Sequence, residues 1–128
     1  MKLLSIDPIN VQYKKMKSTQ HQKTTISFPL HEQCATGNIS EIIRLINEKK
    51  YDPMQPDQDK WYPIHHAAWN GHDDCVRLFL KEYFCSPNVL DNFSMTALHY
   101  AALQGHTNVV KVLLEHPDTD VVSFQLIV

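Results

Sequence analysis

The sequence is poor in glycine, with three residues in 128, and it contains no apolar run long enough to cross a membrane. So few glycines exclude collagen-like, elastin-like and other glycine-rich chains. A membrane-spanning helix needs roughly 20 apolar residues in succession. The apolar stretch near the amino terminus, residues 3–6, ends at Asp7-Pro8, well short of a secretory signal. We therefore expect an intracellular, cytoplasmic protein without direct membrane insertion.

Cysteine is scarce as well, and neither sign of charge dominates. Cys34, Cys75 and Cys85 are odd in number and match no zinc spacing, which predicts free thiols rather than a disulfide framework. The 12 basic and 14 acidic side chains leave a net charge of −2. Because the bulk charge does not attract polyanions, we expect no nucleic-acid partner.

The charge is nevertheless distributed unevenly along the chain. Residues 1–27 hold five lysines and one aspartate, whereas residues 28–128 hold 7 basic and 13 acidic side chains. The first segment lacks a sustained apolar periodicity, which is typical of a flexible arm or linker. We expect the folded domain to begin near Phe28.

The three glycines lie 34 residues apart along the chain. A fixed period of this size indicates an internal repeat. A histidine stands six residues before each glycine, and apolar residues recur behind it at intervals of three and four, which places one apolar stripe on a helix. Each unit is expected to form a short first helix, a glycine stop and a longer second helix. The residues directly after the glycines can start the second helix or bond its free amides; they are Asn38, His72 and His106. The glycines are Gly37, Gly71 and Gly105; the histidines are His31, His65 and His99; the apolar sets are Ile42, Leu45 and Ile46, then Val76, Phe79 and Leu80, then Val110, Leu113 and Leu114.

Residues 65–72 and 96–106 resemble the ankyrin repeat, whose pattern is Thr-Pro-Leu-His-x-Ala-Ala-x-x-Gly-His followed by an apolar helix and a β-turn. The resemblance implies an all-α ankyrin solenoid of about three helix-turn-helix units joined by short β-hairpin loops. The units fall near 28–60, 61–94 and 95–120. No catalytic residue set and no glycine-rich phosphate loop accompanies them, so we expect neither an enzyme nor a cofactor.

The two ends of this array differ in polarity. The first repeat carries Gln33 and Glu41 where the others carry small or apolar residues, which suits an outward-facing cap. Residues 121–128 form an apolar tail with no such polar cap. Either this tail folds back over the last repeat or the chain is a fragment. We expect a fragment, because terminal repeats need polar outer faces for solubility.

Three further stretches are more specific than the general repeat. They are Trp61-x-Pro63-Ile64-His65-x-Ala67-x-Trp69-x-Gly71, Cys85-x-Pro87-Asn88-x-Leu90 and Leu114-x-His116-Pro117-x-Thr119-Asp120. They resemble the ankyrin segment of the Krev-interaction-trapped scaffold family of cerebral cavernous malformation. In that family a FERM domain after the repeats engages a Rap-type small GTPase and a membrane receptor tail.

This closer resemblance implies a scaffold or adaptor in small-GTPase and junction signalling, located at cell junctions or the inner membrane face. A Rap-type GTPase would bind only through a FERM region, which these 128 residues do not contain. The alternative is a regulatory or targeting segment of an ankyrin-containing enzyme. In both cases the direct partners are other proteins whose identity the sequence leaves open.

Hairpin tips and the exposed side of the first helix form the contact surface in ankyrin repeats. Large side chains there are frequent binding hot spots, so Trp69 is the preferred anchor, whereas Trp61 suits packing between repeats equally well. The histidines and glycines of the repeat are expected to be structural, since an imidazole can bond backbone groups of adjacent turns. The candidate partner-binding residues are Gln58, Asp59, Trp61, Trp69, Asn70, Asn92, Phe93, Met95, Leu103 and Gln104.

Both hairpins lack the glycine that usually follows their leading aspartate. Lys60 and Ser94 stand there, at a cost of about 1 kcal/mol each if the backbone is left-handed. Asn88 occupies the hairpin asparagine position, which is normally structural and in this repeat class can also be a hydroxylation target. The zinc-ligand types His65, His66, His72 and Cys75 are expected to lie on different sides of the unit, so we expect no metal.

Overall fold

A computed structural model describes residues 28–121, so the predicted basic arm and most of the apolar tail lie outside the described residues. Within this range the regular structure is helical and contains no strand. No helix of the described range has the length and apolar content needed to cross a membrane. The expected all-α fold is confirmed. The helices are α1 Pro29–Thr36, α2 Ile39–Asn47, α3 Pro63–Trp69, α4 Asp73–Lys81, α5 Ala97–Gln104 and α6 Thr107–Glu115.

The helices form three antiparallel pairs that stack along the chain. Helix α1 packs against α2, α3 against α4 and α5 against α6. The first helices α1, α3 and α5 pack side by side, and α4 packs against α6. The main core lies between these layers, with Ala67, Ala68 and Ala101 fully buried where neighbouring first helices approach closely. Small residues at these positions permit the close stacking of one repeat on the next.

The sequence signals for helix ends act as expected. Pro29 and Pro63 occupy the first turns of α1 and α3, where a missing amide donor costs nothing. Gly37, Gly71 and Gly105 all have a left-handed backbone, with φ between 74° and 80°. At the start of α2, the Asn38 side chain accepts a hydrogen bond from the Glu41 amide at 3.3 Å, as an N-cap does.

Each described loop between repeats closes with a tight hairpin-like turn. In the first, the Asp57 amide donates to the Trp61 carbonyl and the Lys60 amide donates back to Asp57. In the second turn, the Asp91 amide donates to the Met95 carbonyl and the Ser94 amide donates to the Asp91 carbonyl. Lys60 and Ser94 have φ values of 66° and 59°, so the backbone is left-handed at both positions and the condition for the strain is met.

Candidate interaction surface

The leading aspartate of each hairpin holds the turn from within. One carboxylate oxygen of Asp91 accepts hydrogen bonds from the amides of Phe93 at 2.9 Å and Met95 at 3.0 Å. Asp57 does the same for Asp59 at 3.0 Å and Trp61 at 2.9 Å. Because a buried carboxylate binds two amides, the turn is fixed although no glycine stands in it.

The second carboxylate oxygen ties the hairpin to the helix that follows. His66 on α3 bonds to Asp57 at 2.9 Å, and the Tyr100 hydroxyl on α5 donates to Asp91. Burial alone raises the pKa of Asp57, but the hydrogen bond and charge of His66 and the Trp61 amide outweigh it and lower that pKa. Sequence reasoning missed both pairs. Their shared spacing of nine residues is the signal that could have revealed them.

Two of the repeat histidines connect their own helix to the next hairpin. His65 accepts from the Tyr62 amide at 3.0 Å on Nδ1, so its Nε2–H donates to the carbonyls of Val89 and Met95, each at 3.1 Å. His31 Nε2 bonds to the Gln55 carbonyl at 2.7 Å. The Tyr62 amide thus does for His65 what the Thr96 amide does for His99, so a hydrogen bond orients the imidazole at both positions.

These imidazoles are neutral at physiological pH. Burial and the neighbouring His66 together lower the pKa of His65 to about 4, against the opposing effect of Asp91. Burial and His66 likewise lower the pKa of His31 to about 4, against the pull of Asp57. A neutral imidazole with one donor and one acceptor nitrogen is the form that these backbone bonds require.

The histidines that follow the glycines act between repeats rather than as caps of their own helices. His72 starts α4 without a side-chain cap, and its Nε2–H reaches back to the Ala35 carbonyl at 3.0 Å. His106 bonds to the Trp69 carbonyl at 2.9 Å in the same way. The cap role considered from the sequence is therefore corrected for both residues.

This contact explains why the helix stop must be glycine. A Cβ added to Gly37 would stand 2.7 Å from His72 Nδ1, and one added to Gly71 would stand 2.7 Å from His106 Nδ1. We call the space above each of these glycines a histidine socket. It requires both the left-handed backbone and the absence of a side chain.

The expected exposure of Trp69 and Met95 is wrong, and of the two alternatives for Trp61 the structure shows packing between repeats. Trp69 is only 7% exposed, and Trp61 and Met95 are each 2% exposed. They form a second apolar cluster with Tyr100 and the half-buried Leu103, with the Trp61 and Tyr100 rings 4.5 Å apart between centroids. Trp69 turns inward because it packs edge-on against the rings of both Trp61 and Tyr100, with centroid distances of 6.0 and 5.6 Å.

The remaining candidates lie at the surface of the same side. Asn92 is exposed at the tip of the second hairpin, beside Phe93, which is 38% exposed. Asp59 and Leu103 are half-buried. The other exposed members are Gln58, Asn70 and Gln104. The structure therefore divides the ten candidates into a supporting buried group and an accessible group.

Asn88 and the histidines that were weighed as zinc ligands form hydrogen bonds within the fold. The side-chain Nδ2 of Asn88 donates to the Asp118 carbonyl at 2.7 Å, and its Oδ1 accepts from the backbone amide of Asp120 at 2.8 Å. These two bonds join two loops. His65, His66 and His72 bond to different groups, as described above. Within residues 28–121, no three His, Cys, Asp or Glu side chains are grouped so that they could hold a metal ion.

The cysteines form no disulfide in the described range and all three are buried. Burial raises the pKa of the Cys75 and Cys85 thiols to about 12. Burial raises that of Cys34 as well. A thiol that stays protonated is a poor nucleophile and a poor metal ligand, so these side chains act as small apolar residues of the core.

The stacked helix pairs, the glycine stops and the histidine bonds between repeats agree with a known family model. The model described as "Ankyrin repeats (3 copies)" matches residues 28–124. The chain belongs to the ankyrin-repeat family. Ankyrin-repeat domains are generally non-catalytic modules for protein–protein interaction.

Curated relatives match about half of the chain or less. The chain is 32% identical over 66 residues to the "Ankyrin repeat, PH and SEC7 domain containing protein secG" of Dictyostelium discoideum, a match that covers 51% of this chain and 7% of that protein. It is 40% identical over 52 residues to cortactin-binding protein 2 of Ornithorhynchus anatinus, covering 41% of this chain and 3% of the relative. The chain thus spans less than a tenth of the length of these relatives.

Two solved structures have folds similar to that of this chain. The ankyrin repeat domain of Bcl-3, a member of the IkappaB family, aligns with a TM-score of 0.65 at 26% identity, covering 73% of this chain and 43% of that chain. A chain from the complex of the Bd0816 predatory endopeptidase of Bdellovibrio bacteriovorus with immunity protein Bd3460 aligns with a TM-score of 0.64 at 26% identity, covering 70% and 46%.

Proposed function

We propose that this ankyrin-repeat chain is a non-catalytic module that binds a partner protein through its hairpin tips and the outer side of its first helices. Phe93 is the observation that carries this proposal. Its side chain is 38% exposed, while Asp91 binds its amide at 2.9 Å. An aromatic residue held on a fixed backbone loses little conformational freedom on binding, and aromatic anchors dominate many interfaces.

The surroundings of Phe93 suit an interface of this kind. Leu103 adds half-buried apolar surface, and exposed amide side chains can form a polar rim around it. The amide side chains are Gln58, Asn70, Asn92 and Gln104. The buried cluster of Trp61, Trp69 and Met95 supports this surface from beneath and does not itself meet the partner.

Capture of partner proteins tests this surface. The wild-type chain and a Phe93→Ala, Asn92→Ala double variant are immobilised, and the proteins retained from a cell lysate are identified by mass spectrometry. We expect the double variant to lose at least one protein that the wild type retains, with its helical circular dichroism unchanged.

An Arg77→Ala, Lys81→Ala variant is the matched control, since both side chains are exposed on the second-helix side. It should retain the same proteins as the wild type. Equal retention by the hairpin variant, or equal loss from the α4 variant, would rule out the hairpin surface.

A finer role as a scaffold or adaptor in small-GTPase and junction signalling is part of this proposal. Its support is the resemblance to the Krev-interaction-trapped family at Trp61, Trp69 and residues 114–120. The full-length transcript tests it. A FERM region downstream is the expected result, whereas a catalytic domain would replace the scaffold by the regulatory segment of an enzyme.

A further inference from the structure

Phe84 is the most exposed large apolar side chain of the described residues, and its backbone is strained. Its side chain is 85% exposed, and its φ of 54° lies in the left-handed region, which a bulky residue rarely adopts. The preceding Tyr83 shows the ordinary alternative, since its half-buried ring packs against Phe79 at 6.0 Å between centroids. Neither the exposure nor the backbone of Phe84 stabilises the fold, so an aromatic residue at this position indicates a binding role.

A groove of about 270 Å³ lies beside Phe84, between the loop after α4 and the loop after α6. Its lining includes the buried Leu80 as well as His116 and Asp118. The Asp118 amide donates to His116 Nδ1 at 3.2 Å, and the Asp118 carbonyl accepts from Asn88 at 2.7 Å. The backbone of Asp118 is therefore held in place, whereas its carboxylate bonds to no group among residues 28–121.

Carboxylates outnumber ammonium groups on these two loops. Residues 81–87 and 114–120 together hold four acidic side chains and one lysine. An excess of negative charge around an exposed aromatic ring favours a ligand that combines cations with an apolar side chain. The acidic side chains that form no ion pair within the described range are Glu82, Glu115 and Asp118, and the fourth is Asp120.

The chain carries a segment of this composition outside the described residues. Residues 13–17 read Tyr-Lys-Lys-Met-Lys and contain three of the five lysines of the predicted basic arm. Met16 is flanked by Lys15 and Lys17, so an apolar side chain stands between two cations. Residues 122–128 hold no charged side chain and offer no cation to the carboxylates of the groove. The groove therefore matches the basic segment better than the apolar tail.

The length of the arm is sufficient for the basic segment to reach the groove. Phe28 lines the same cavity as Lys50, which stands 34 residues before Phe84 and is also left-handed, with φ of 63°. The groove thus lies one repeat along the stack from the point where the arm joins the fold. Packed helices lie about 8–10 Å apart. Phe28 stands 11 residues after Lys17, and an extended chain of that length spans roughly 36 Å.

We propose that the groove beside Phe84 binds the chain's own basic segment, residues 13–17. Met16 packs against the Phe84 ring, and the lysines on either side lie near the carboxylates of Glu115 and Asp118. The docked arm covers Phe84 and closes this side of the molecule to other proteins until the arm is displaced. The site uses none of the hairpin-tip residues, so the proposal is independent of the function proposed above.

Paramagnetic labelling of the full chain tests this docking. A nitroxide on Ser18→Cys stands next to the basic segment, while the three native cysteines are buried and stay unlabelled. We expect the amide signals of residues 82–87 and 116–118 to lose intensity relative to the same chain with the nitroxide reduced. Phe84→Ala and Asp118→Asn should each restore this intensity, with the signals of the other residues unchanged as evidence of folding. A high salt concentration should act in the same direction, because it screens exposed charges.

A matched control separates docking from the mere tethering of the arm. Leu90→Ala removes an apolar side chain of the same loop that is 53% exposed but does not line the groove, so the intensity loss should persist. Equal intensities with active and reduced nitroxide would overturn the proposal. A loss that persists in Phe84→Ala would overturn it as well, because the arm would then approach without using the groove.

A mixing experiment distinguishes the arm of the same chain from that of a second copy. Isotope-labelled chain without nitroxide is mixed with nitroxide-bearing chain without isotope. We expect no intensity loss in this mixture. A loss there would assign the groove to the arm of another copy and would contradict docking within one chain.

Discussion

The middle and last repeats carry similar residues at equivalent positions, yet the structure buries them to different degrees. Leu80 is 4% exposed and Leu114 is 49% exposed. Ala68 is fully buried, whereas Ala102 is exposed. Helices α5 and α6 cover the middle repeat, and no helix among residues 28–121 covers the last one. Burial in a stack is therefore decided by the neighbouring repeat as much as by the residue itself.

Among single substitutions, the largest effect is expected from the leucines that differ in burial. Leu80→Ala should lower the free energy of unfolding by about 3 kcal/mol, because it removes buried methyl groups and leaves a cavity. Leu114→Ala should lower it by less than about 1 kcal/mol, since half of that side chain is exposed. Urea unfolding of both variants measures the difference. Similar losses would mean that the last repeat is covered as well as the middle one.

Acid should act first on the repeats that hold His31 and His65. Their folded pKa values are about 4, below the ordinary 6.5, so between these values the unfolded chain binds more protons than the folded chain. The contribution of each histidine to the free energy of unfolding is fully present above pH 6.5. It falls by about 3 kcal/mol for each histidine as the pH approaches 4. Urea unfolding between pH 7 and pH 4 measures this slope.

A His65→Gln variant is the control for the acid effect. It is expected to be less stable than the wild type at pH 7, yet to lose less stability on acidification because one titrating group is gone. An unchanged slope would show that His65 does not contribute to the pH dependence.

The hairpin aspartates should have a smaller, matched effect in both repeats. Asp57→Asn and Asp91→Asn each weaken two amide bonds and the bond to His66 or Tyr100, so we expect a loss of about 2 kcal/mol. Chemical denaturation of both variants measures it, with the exposed Glu82→Gln as a control near zero. A large difference between the two aspartates would show that their hairpins are not equivalent.

The smallest effect is expected at the left-handed hairpin residues. Lys60→Gly and Ser94→Gly should each raise the free energy of unfolding by about 0.5 kcal/mol, because the relief of left-handed strain slightly exceeds the added freedom of the unfolded chain. Thermal unfolding of the two variants measures the gain. A loss at either site would mean that its side chain makes contacts that outweigh the strain.

Most of the fold could be predicted from the sequence because it depends on local signals repeated three times. The glycine interval of 34 gives the length of one repeat. The prolines at 29 and 63 indicate the start of a first helix, and the apolar spacing behind each glycine indicates a second helix. The left-handed φ values at Lys60 and Ser94 also follow from their place after a leading aspartate. These features need only the chain within one repeat.

The candidate surface was predicted less well, since it depends on contacts between repeats. Trp69 was expected outside, but it packs against Trp61 and against Tyr100, which belongs to the following repeat. His72 was considered a helix cap, but it reaches the Ala35 carbonyl 37 residues away. Residue type and the local repeat period do not indicate which way such side chains point.

The sequence by itself determined the repeat, its period and the backbone at each helix stop, because these depend on steric limits within a few neighbouring residues. Only the tertiary structure decided which histidines join repeats, which aromatic residues are buried and how far the neighbouring repeat covers each apolar face. Those properties depend on which repeat lies against which. The same leucine is core at position 80 and surface at position 114 for that reason alone.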